Sequence, residues 1–128
     1  MSPEAGLHLE KARQALSKAA IMLRAELPDE AGRAAYLAAF HAAQALIFER
    51  TGRTPKTHQG VRSQFGKLAL LEPQIDVLLR RFLARGYDLK SVADYAIGPD
   101  AVVPVQEAIE AITTANRFGD CITTGLAG

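Results

Sequence analysis

The sequence has little cysteine and few aromatic residues. It contains one cysteine, Cys121, no tryptophan, three tyrosines and five phenylalanines. A single cysteine excludes an internal disulfide, and no zinc site can rest on cysteine spacing. No apolar run approaches the length of a membrane span, and the N-terminus lacks the basic segment and apolar run of a secretion signal. We therefore expect a cytoplasmic protein that does not associate with a membrane.

Several common catalytic motifs are missing as well. The sequence has no HExxH, no glycine-rich phosphate loop and no GxSxG. The three histidines, His8, His41 and His58, form no obvious metal-ligand set. We therefore expect neither a metal nor a cofactor. The formal net charge of +1 argues against a broad, non-specific nucleic-acid footprint but is compatible with a local basic patch.

The residues that are abundant favour helices. Alanine and leucine are strong helix formers, and apolar residues recur three and four positions apart along the chain. The predicted helices span about residues 3–26, 29–50, 58–71, 73–96 and 103–121. A kink or break is predicted near residues 85–88, because Gly86 falls inside the fourth apolar stripe. Short connections make neighbouring helices antiparallel, so the predicted fold is an all-α, antiparallel four- to five-helix bundle.

The length of 128 residues fits one domain. We assign residues 1–122 to this domain and residues 123–128 to a flexible C-terminal tail. A turn is predicted from Ala96 to Asp100. In the last helix, the side chains expected to face the core are Val105, Ile109, Ile112 and Ala115.

Arg33 stands out because its helical position places it on the same buried stripe as Tyr36. A buried guanidinium is costly unless it is paired and hydrogen-bonded. Arg33 is therefore either a structural partner of a carboxylate such as Asp94, or an anion-facing residue that lines a cleft. Asp94 lies near a helix C-terminus, where a carboxylate is unfavourable, so it should have a cationic partner. Arg33, Lys90 and Arg85 are the candidates.

The exit from the second helix carries four potentially cationic side chains within nine residues: Arg50, Arg53, Lys56 and His58. One interpretation is a solvated loop that caps a helix. The other is a phosphate-binding corner, to which the free amides of the next helix would add donors. His41, on the flank of the buried stripe, is either a packing residue or a catalyst.

Three segments together resemble a known family. RAAYLAAFHAA at 33–43 is similar to the R-x-Y-Y-A-x-F-H-A-A helix of small prokaryotic HEPN-domain proteins. PKTHQGV at 55–61 resembles the K-T-H-x-G segment of that family, and KSVADY at 90–95 resembles its R-x-x-A-D-Y segment. The segments occur in the family's order and at about its spacing.

The resemblance implies an all-α bundle that is often dimeric and often paired with a small nucleotidyltransferase in a two-protein toxin–antitoxin module. It also implies kinship with metal-independent ribonucleases, whose arginine and histidine lie late in the bundle, four to six residues apart. This sequence departs from that motif, because no histidine follows His58. Lys90 stands where the family's third segment begins with arginine. Arg53 and His58 have four residues between them, but in an earlier loop.

Three functions follow from these observations. The first is a HEPN bundle that binds RNA, a nucleotide or a nucleotidyltransferase partner through a polar cluster with a cationic rim. The candidate residues for this cluster and its rim are Arg33, Tyr36, His41, Lys56, His58, Lys90, Asp94 and Tyr95.

The second function is a metal-independent endoribonuclease. In that case Arg53 would stabilise charge on the phosphorus centre, and His58 would move the proton during attack by the RNA 2′-hydroxyl. The third is a purely structural homodimerisation module that uses an exposed alanine-rich helix face. That face comprises Ala34, Ala35, Ala38, Ala42 and Ala45.

Overall fold

The structure is a computed structural model that describes residues 1–98 and 102–127. Within these ranges the chain forms five α-helices and no strand. The helices are α1 (Pro3–Arg24), α2 (Pro28–Thr51), α3 (His58–Ala69), α4 (Val77–Tyr95) and α5 (Val105–Ala127). The predicted all-α bundle is confirmed, with α3 as a short helix among four long ones.

The helix ends carry the capping residues that the sequence supplies. The Ser2 side chain accepts a hydrogen bond from the Ala5 amide at the start of α1, and Asp76 accepts one from the Leu79 amide at the start of α4. Thr57 caps α3 in the same way. Gly52 ends α2 with a φ of 84°, a left-handed conformation that glycine adopts without steric cost. The three side-chain caps satisfy amides that the helices leave free, and the Gly52 amide donates to the Phe48 carbonyl at the end of α2.

Helix α2 is the centre of the bundle. It packs against each of the other four helices, and its alanines on every side are buried. The side chains of Ala35, Ala42 and Ala45 are fully buried inside the chain. The predicted exposed alanine-rich dimerisation face is therefore wrong, because α1 and the other neighbours of α2 already cover it. Alanine allows these helices to approach α2 closely.

Helix orientations follow from contacts between helix ends. The Ser2 amide donates to Glu49 Oε1 at 2.8 Å, which joins the start of α1 to the end of α2. Arg33 near the start of α2 contacts Asp94 at the end of α4. Arg117, just past the middle of α5, contacts Asp76 at the start of α4, whereas Glu110, nearer the start of α5, lies 3.9 Å from Arg85 further along α4. Helices α1 and α4 are therefore antiparallel to α2, and α5 is antiparallel to α4.

The structure corrects three details of the predicted helices. Helix α4 begins at Val77 rather than near Pro73, and it runs without a break through residues 85–88. Gly86 is instead a packing position, because a Cβ atom there would lie 3.0 Å from Tyr36 Cδ1. Pro99 and Asp100 of the predicted turn lie outside the described residues.

Helix α5 also differs from the prediction at its end and in its buried face. It continues past Cys121 to Ala127, so the tail predicted from residue 123 is helical as far as the structure describes it, and Leu126 is buried. Val105 and Ile109, expected inside, are 56% and 40% exposed. The core-facing residues are Ala108, Ala111, Ala115, Phe118, Ile122 and Leu126. Gly128 lies outside the described residues.

Candidate functional site

Helices α2 and α4 are joined by a carboxylate that accepts from two cations. Arg33 Nε donates to Asp94 Oδ1 at 2.8 Å, and Lys90 Nζ donates to Asp94 Oδ2 at 2.6 Å. The predicted pairing of Arg33 with Asp94 is thus present. The hydrogen bond from Lys90 and the charge of Arg33 hold the pKa of Asp94 below its usual range. The two cations make the carboxylate tolerable at a helix C-terminus, where its charge would otherwise be unfavourable.

A second connection joins α2 to α3 through Tyr36 and His58. Tyr36 is fully buried, and its hydroxyl lies 2.7 Å from His58 Nδ1. The His58 ring also stacks on Phe40 with a centroid separation of 4.4 Å. Burial raises the pKa of Tyr36 to about 12, so this tyrosine keeps its proton.

The surroundings of His58 favour its neutral form. Burial, together with the nearby charges of Lys90 and Arg62, lowers the pKa of His58. Its Nδ1 is engaged by Tyr36, whereas its Nε2 has no hydrogen-bond partner among the described residues. A neutral imidazole with one nitrogen fixed and the other available can bind or exchange a proton.

Arg62 and Tyr87 complete the site, and sequence reasoning missed both. The Arg62 guanidinium lies over the Tyr87 ring, with Cζ 4.2 Å from the ring centroid. Arg62 Nε is buried and has no hydrogen-bond partner within the part of the chain that the structure describes. Their positions gave a signal, since Arg62 follows His58 by four residues and Tyr87 precedes Lys90 by three. Such spacings place side chains on one helix face.

We call this assembly the interhelical cluster. It consists of Arg33, Tyr36, His58, Arg62, Tyr87, Lys90 and Asp94. It contains three cationic side chains and a single carboxylate, which contacts two of them, so the cluster carries surplus positive charge. Tyr95 lies at its edge, 74% exposed, with its ring centroid 5.4 Å from Lys90 Nζ.

The loop cations do not form one corner with His58. Arg50 Nε donates to Glu72 Oε1 at 2.7 Å, which neutralises its charge. Arg53 and Lys56 are exposed and have no carboxylate within 4 Å among the described residues. His58 instead turns inward, and its recorded contacts are to Tyr36, Phe40 and Tyr87. The interpretation of these four residues as one phosphate-binding corner is therefore wrong, whereas the interpretation as a solvated loop fits the exposed Arg53 and Lys56.

His41 lies outside the interhelical cluster. Its Nδ1 is 2.9 Å from Gln44 Oε1, and its ring packs edge-on against Phe40. Burial lowers the pKa of His41, with further lowering by the charge of Lys11 on α1. The structure thus places His41 at the α1–α2 side of α2 and the interhelical cluster at its α3–α4 side.

Residues 1–98 and 102–127 contain no group of three or more histidine, cysteine, aspartate or glutamate side chains that could hold a metal ion. None of the helices in those ranges is long and apolar enough to cross a bilayer.

The five-helix bundle and the positions of the three matching segments define the class of protein. The HEPN domain family model matches residues 5–123, so the chain belongs to the HEPN domain family. The family resemblance drawn from the sequence is thereby confirmed.

Two relatives come from Methanocaldococcus jannaschii. The protein named "Putative toxin MJ0605" is 34% identical over 119 residues, which are 92% of this chain and 85% of that protein. The protein named "Putative toxin MJ0142" is 27% identical over 99 residues, which are 77% of this chain and 64% of that protein.

Proposed function

We propose that the chain is a toxin-like HEPN protein that binds single-stranded RNA at the interhelical cluster. The names of both relatives support the toxin-like role. The observation that carries the RNA-binding proposal is the buried Nε of Arg62, which has no acceptor within the described residues. A buried donor without a partner is costly, and turning the half-buried Arg62 side chain onto a phosphate oxygen would satisfy it.

Charge around Arg62 supports the same ligand. Lys90 and Arg33 share Asp94, so the three cations of the cluster exceed its carboxylate charge. Arg33 keeps 38% of its side-chain surface exposed, which leaves part of its guanidinium accessible. Cations that remain unneutralised at a surface attract the phosphate backbone of nucleic acids.

The exposed Tyr95 ring supports a single strand over a duplex. Unpaired bases stack on aromatic side chains, and each such contact stabilises the complex by about 1–3 kcal/mol. Tyr95 lies beside Lys90, so one nucleotide could place its base on the ring and its phosphate near the amine. In a duplex the bases are already stacked on one another and do not reach such a ring.

The test is fluorescence anisotropy with a labelled single-stranded RNA. Arg62→Ala should weaken binding at least about tenfold, since charged hydrogen bonds contribute about 1.5–3 kcal/mol. Lys67→Ala is the matched control, because Lys67 is an exposed cation on the same helix. Equal binding by wild type and Arg62→Ala would refute the assignment of the site.

A second candidate function is metal-independent RNA cleavage, which the neutral state of His58 favours. When Nδ1 carries the proton and donates to the Tyr36 oxygen, Nε2 can accept the proton of an RNA 2′-hydroxyl. The 2′-oxygen then attacks phosphorus, the bond to the 5′-oxygen breaks, and that oxygen takes up the proton. The products would be a 2′,3′-cyclic phosphate and a 5′-hydroxyl.

Cleavage in EDTA by wild type, His58→Ala and Arg53→Ala tests this candidate. If His58→Ala no longer cleaves the RNA but is folded by circular dichroism, the result supports this candidate. Loss in Arg53→Ala as well would place the exposed loop arginine in the site. If the wild-type protein leaves the RNA intact at stoichiometric concentration, cleavage is excluded and the binding proposal stands.

The remaining expectations concern partners. We propose, from the family resemblance, that the chain forms a homodimer and works in a two-protein module with a small nucleotidyltransferase. Light scattering of the purified chain tests the first: the mass of a monomer would contradict it. Co-expression tests the second, since a partner of that kind should relieve growth arrest caused by this chain alone.

A further inference from the structure

A groove between α1 and α2 lies on the opposite side of α2 from most of the interhelical cluster. It has a volume of about 270 Å³ and opens to solvent. Lys11, Gln14 and Lys18 of α1 line one wall, and Glu30, Arg33 and His41 of α2 line the other.

The groove carries an excess of positive charge. Lys11, Lys18 and Arg33 face one carboxylate, Glu30. Both lysines are exposed, and neither has a carboxylate within 4 Å in residues 1–98 and 102–127. Their charges are therefore available to a ligand of opposite sign.

The floor of the groove is apolar. Ala15, Met22, Ala34 and Leu37 form it, and all but Ala34 keep part of their surface accessible. The small alanine side chains leave room above them, between longer neighbours. Covering such a floor is favourable for apolar side chains, since it removes apolar surface from water.

The two lysines are spaced for a helix. Lys18 follows Lys11 by seven residues, which is two helical turns and about 10 Å along α1. A partner helix lying along the groove would present acidic residues seven apart to these lysines. Apolar residues three and four positions after each acidic residue of that helix would then face the floor.

We propose that this groove, defined by Lys11, Lys18, Arg33 and its apolar floor, binds an acidic amphipathic helix of a partner protein. The floor favours a protein over a nucleic acid, because no phenylalanine, tyrosine or tryptophan is among the described residues that line the groove. Single-stranded nucleic acid gains much of its affinity from such rings. The proposal does not depend on RNA binding at the interhelical cluster.

Arg33 connects the two surfaces. It lines the groove and also donates to Asp94 of the interhelical cluster. An acidic side chain of a bound helix would compete with Asp94 for this guanidinium. Occupation of the groove would therefore perturb the interhelical cluster through one shared residue.

The test uses a synthetic helical peptide in which glutamates recur every seven residues and leucines stand three and four residues after each glutamate. We expect it to shift ¹⁵N amide resonances of residues 11–22 and 30–41 in the full chain. Lys11→Glu with Lys18→Glu should raise its Kd at least about tenfold, because attraction becomes repulsion at two positions. Lys67→Glu on α3 is the control and should leave the Kd unchanged.

Several outcomes would overturn the proposal. They are no resonance shift at millimolar peptide, shifts located elsewhere, or equal binding of a peptide with lysine in place of each glutamate. If the double variant loses affinity for a single-stranded RNA oligonucleotide but not for the peptide, the groove is a nucleic-acid surface. If that variant fails to fold, Lys18→Gln replaces it and should raise the Kd of the peptide by a smaller factor.

Discussion

Replacing Gly86 with alanine should destabilise the protein, although alanine is the better helix former. The added Cβ would lie 3.0 Å from Tyr36 Cδ1 and 3.2 Å from Tyr36 Cβ. Tyr36 cannot easily move away, because it is fully buried and its hydroxyl contacts His58. Overpacking of this kind costs about 1–3 kcal/mol, whereas the gain in helix propensity is about 1 kcal/mol. We expect a net loss of about 1 kcal/mol.

Gly66→Ala provides the matched control. Gly66 also lies inside a helix, α3, but a Cβ there would meet nothing within 4 Å. This variant should therefore be more stable than wild type by about 1 kcal/mol. Urea unfolding followed by circular dichroism at 222 nm measures both, with the slope of the transition as a check on two-state behaviour.

The opposite signs of the two glycine variants are the decisive result. If Gly86→Ala stabilises the protein as much as Gly66→Ala does, the close approach of α4 to Tyr36 is not what requires glycine. A tight contact between α4 and Tyr36 at the interhelical cluster would then be refuted. If Gly86→Ala lowers the stability and also changes the RNA affinity, this packing contact is further connected to the site.

Three further predictions concern stability. Burial lowers the pKa values of His8, His41 and His58 below 6.5. The unfolded chain therefore binds more protons below pH 6.5, and the melting temperature should fall from about pH 7.5 to about pH 5.5; a flat profile would contradict this. Tyr36→Phe should cost about 1 kcal/mol, whereas exposed Tyr95→Phe should cost nothing measurable in urea unfolding. Leu126→Ala should cost at least about 2 kcal/mol by the same assay, because Leu126 is 6% exposed; no loss would favour a frayed tail.

The parts of the site that sequence could predict are those governed by one helix at a time. Arg33 lies on the buried stripe, where a cation needs a partner of opposite charge. Asp94 lies at a helix C-terminus, where a carboxylate needs one too. The order of the chain and the family's motifs then made the Arg33–Asp94 pair a reasonable prediction.

The contacts of Arg62 and Tyr87 could not be predicted in this way. Their interaction depends on how α3 and α4 pack against α2, and a helical period fixes only which residues share a face. The same limit explains the error about His58. Its sequence neighbours are loop cations, but α3 begins at this residue and turns its ring towards Tyr36 and Phe40.

Small residues account for the errors in the fold. Hydrophobicity favoured Val105 and Ile109 as core residues of α5, whereas the structure buries Ala108 and Ala111. Alanine allows neighbouring helices to approach closely. Counting the apolar side chains of α5 does not reveal which of its faces packs against a neighbour. The sequence pattern likewise predicts a break at Gly86, because only the position of Tyr36 shows the packing role of this glycine.

RNA binding at the interhelical cluster is tested most directly by the affinity of wild type, Arg62→Ala and Lys67→Ala for single-stranded RNA, measured for all three proteins at the same series of salt concentrations. We expect Arg62→Ala to lose at least about tenfold in affinity while Lys67→Ala stays near wild type. The affinity of Arg62→Ala should also depend less on salt, since one phosphate contact is removed. Equal affinities for all three proteins, with folding confirmed by circular dichroism, would contradict it.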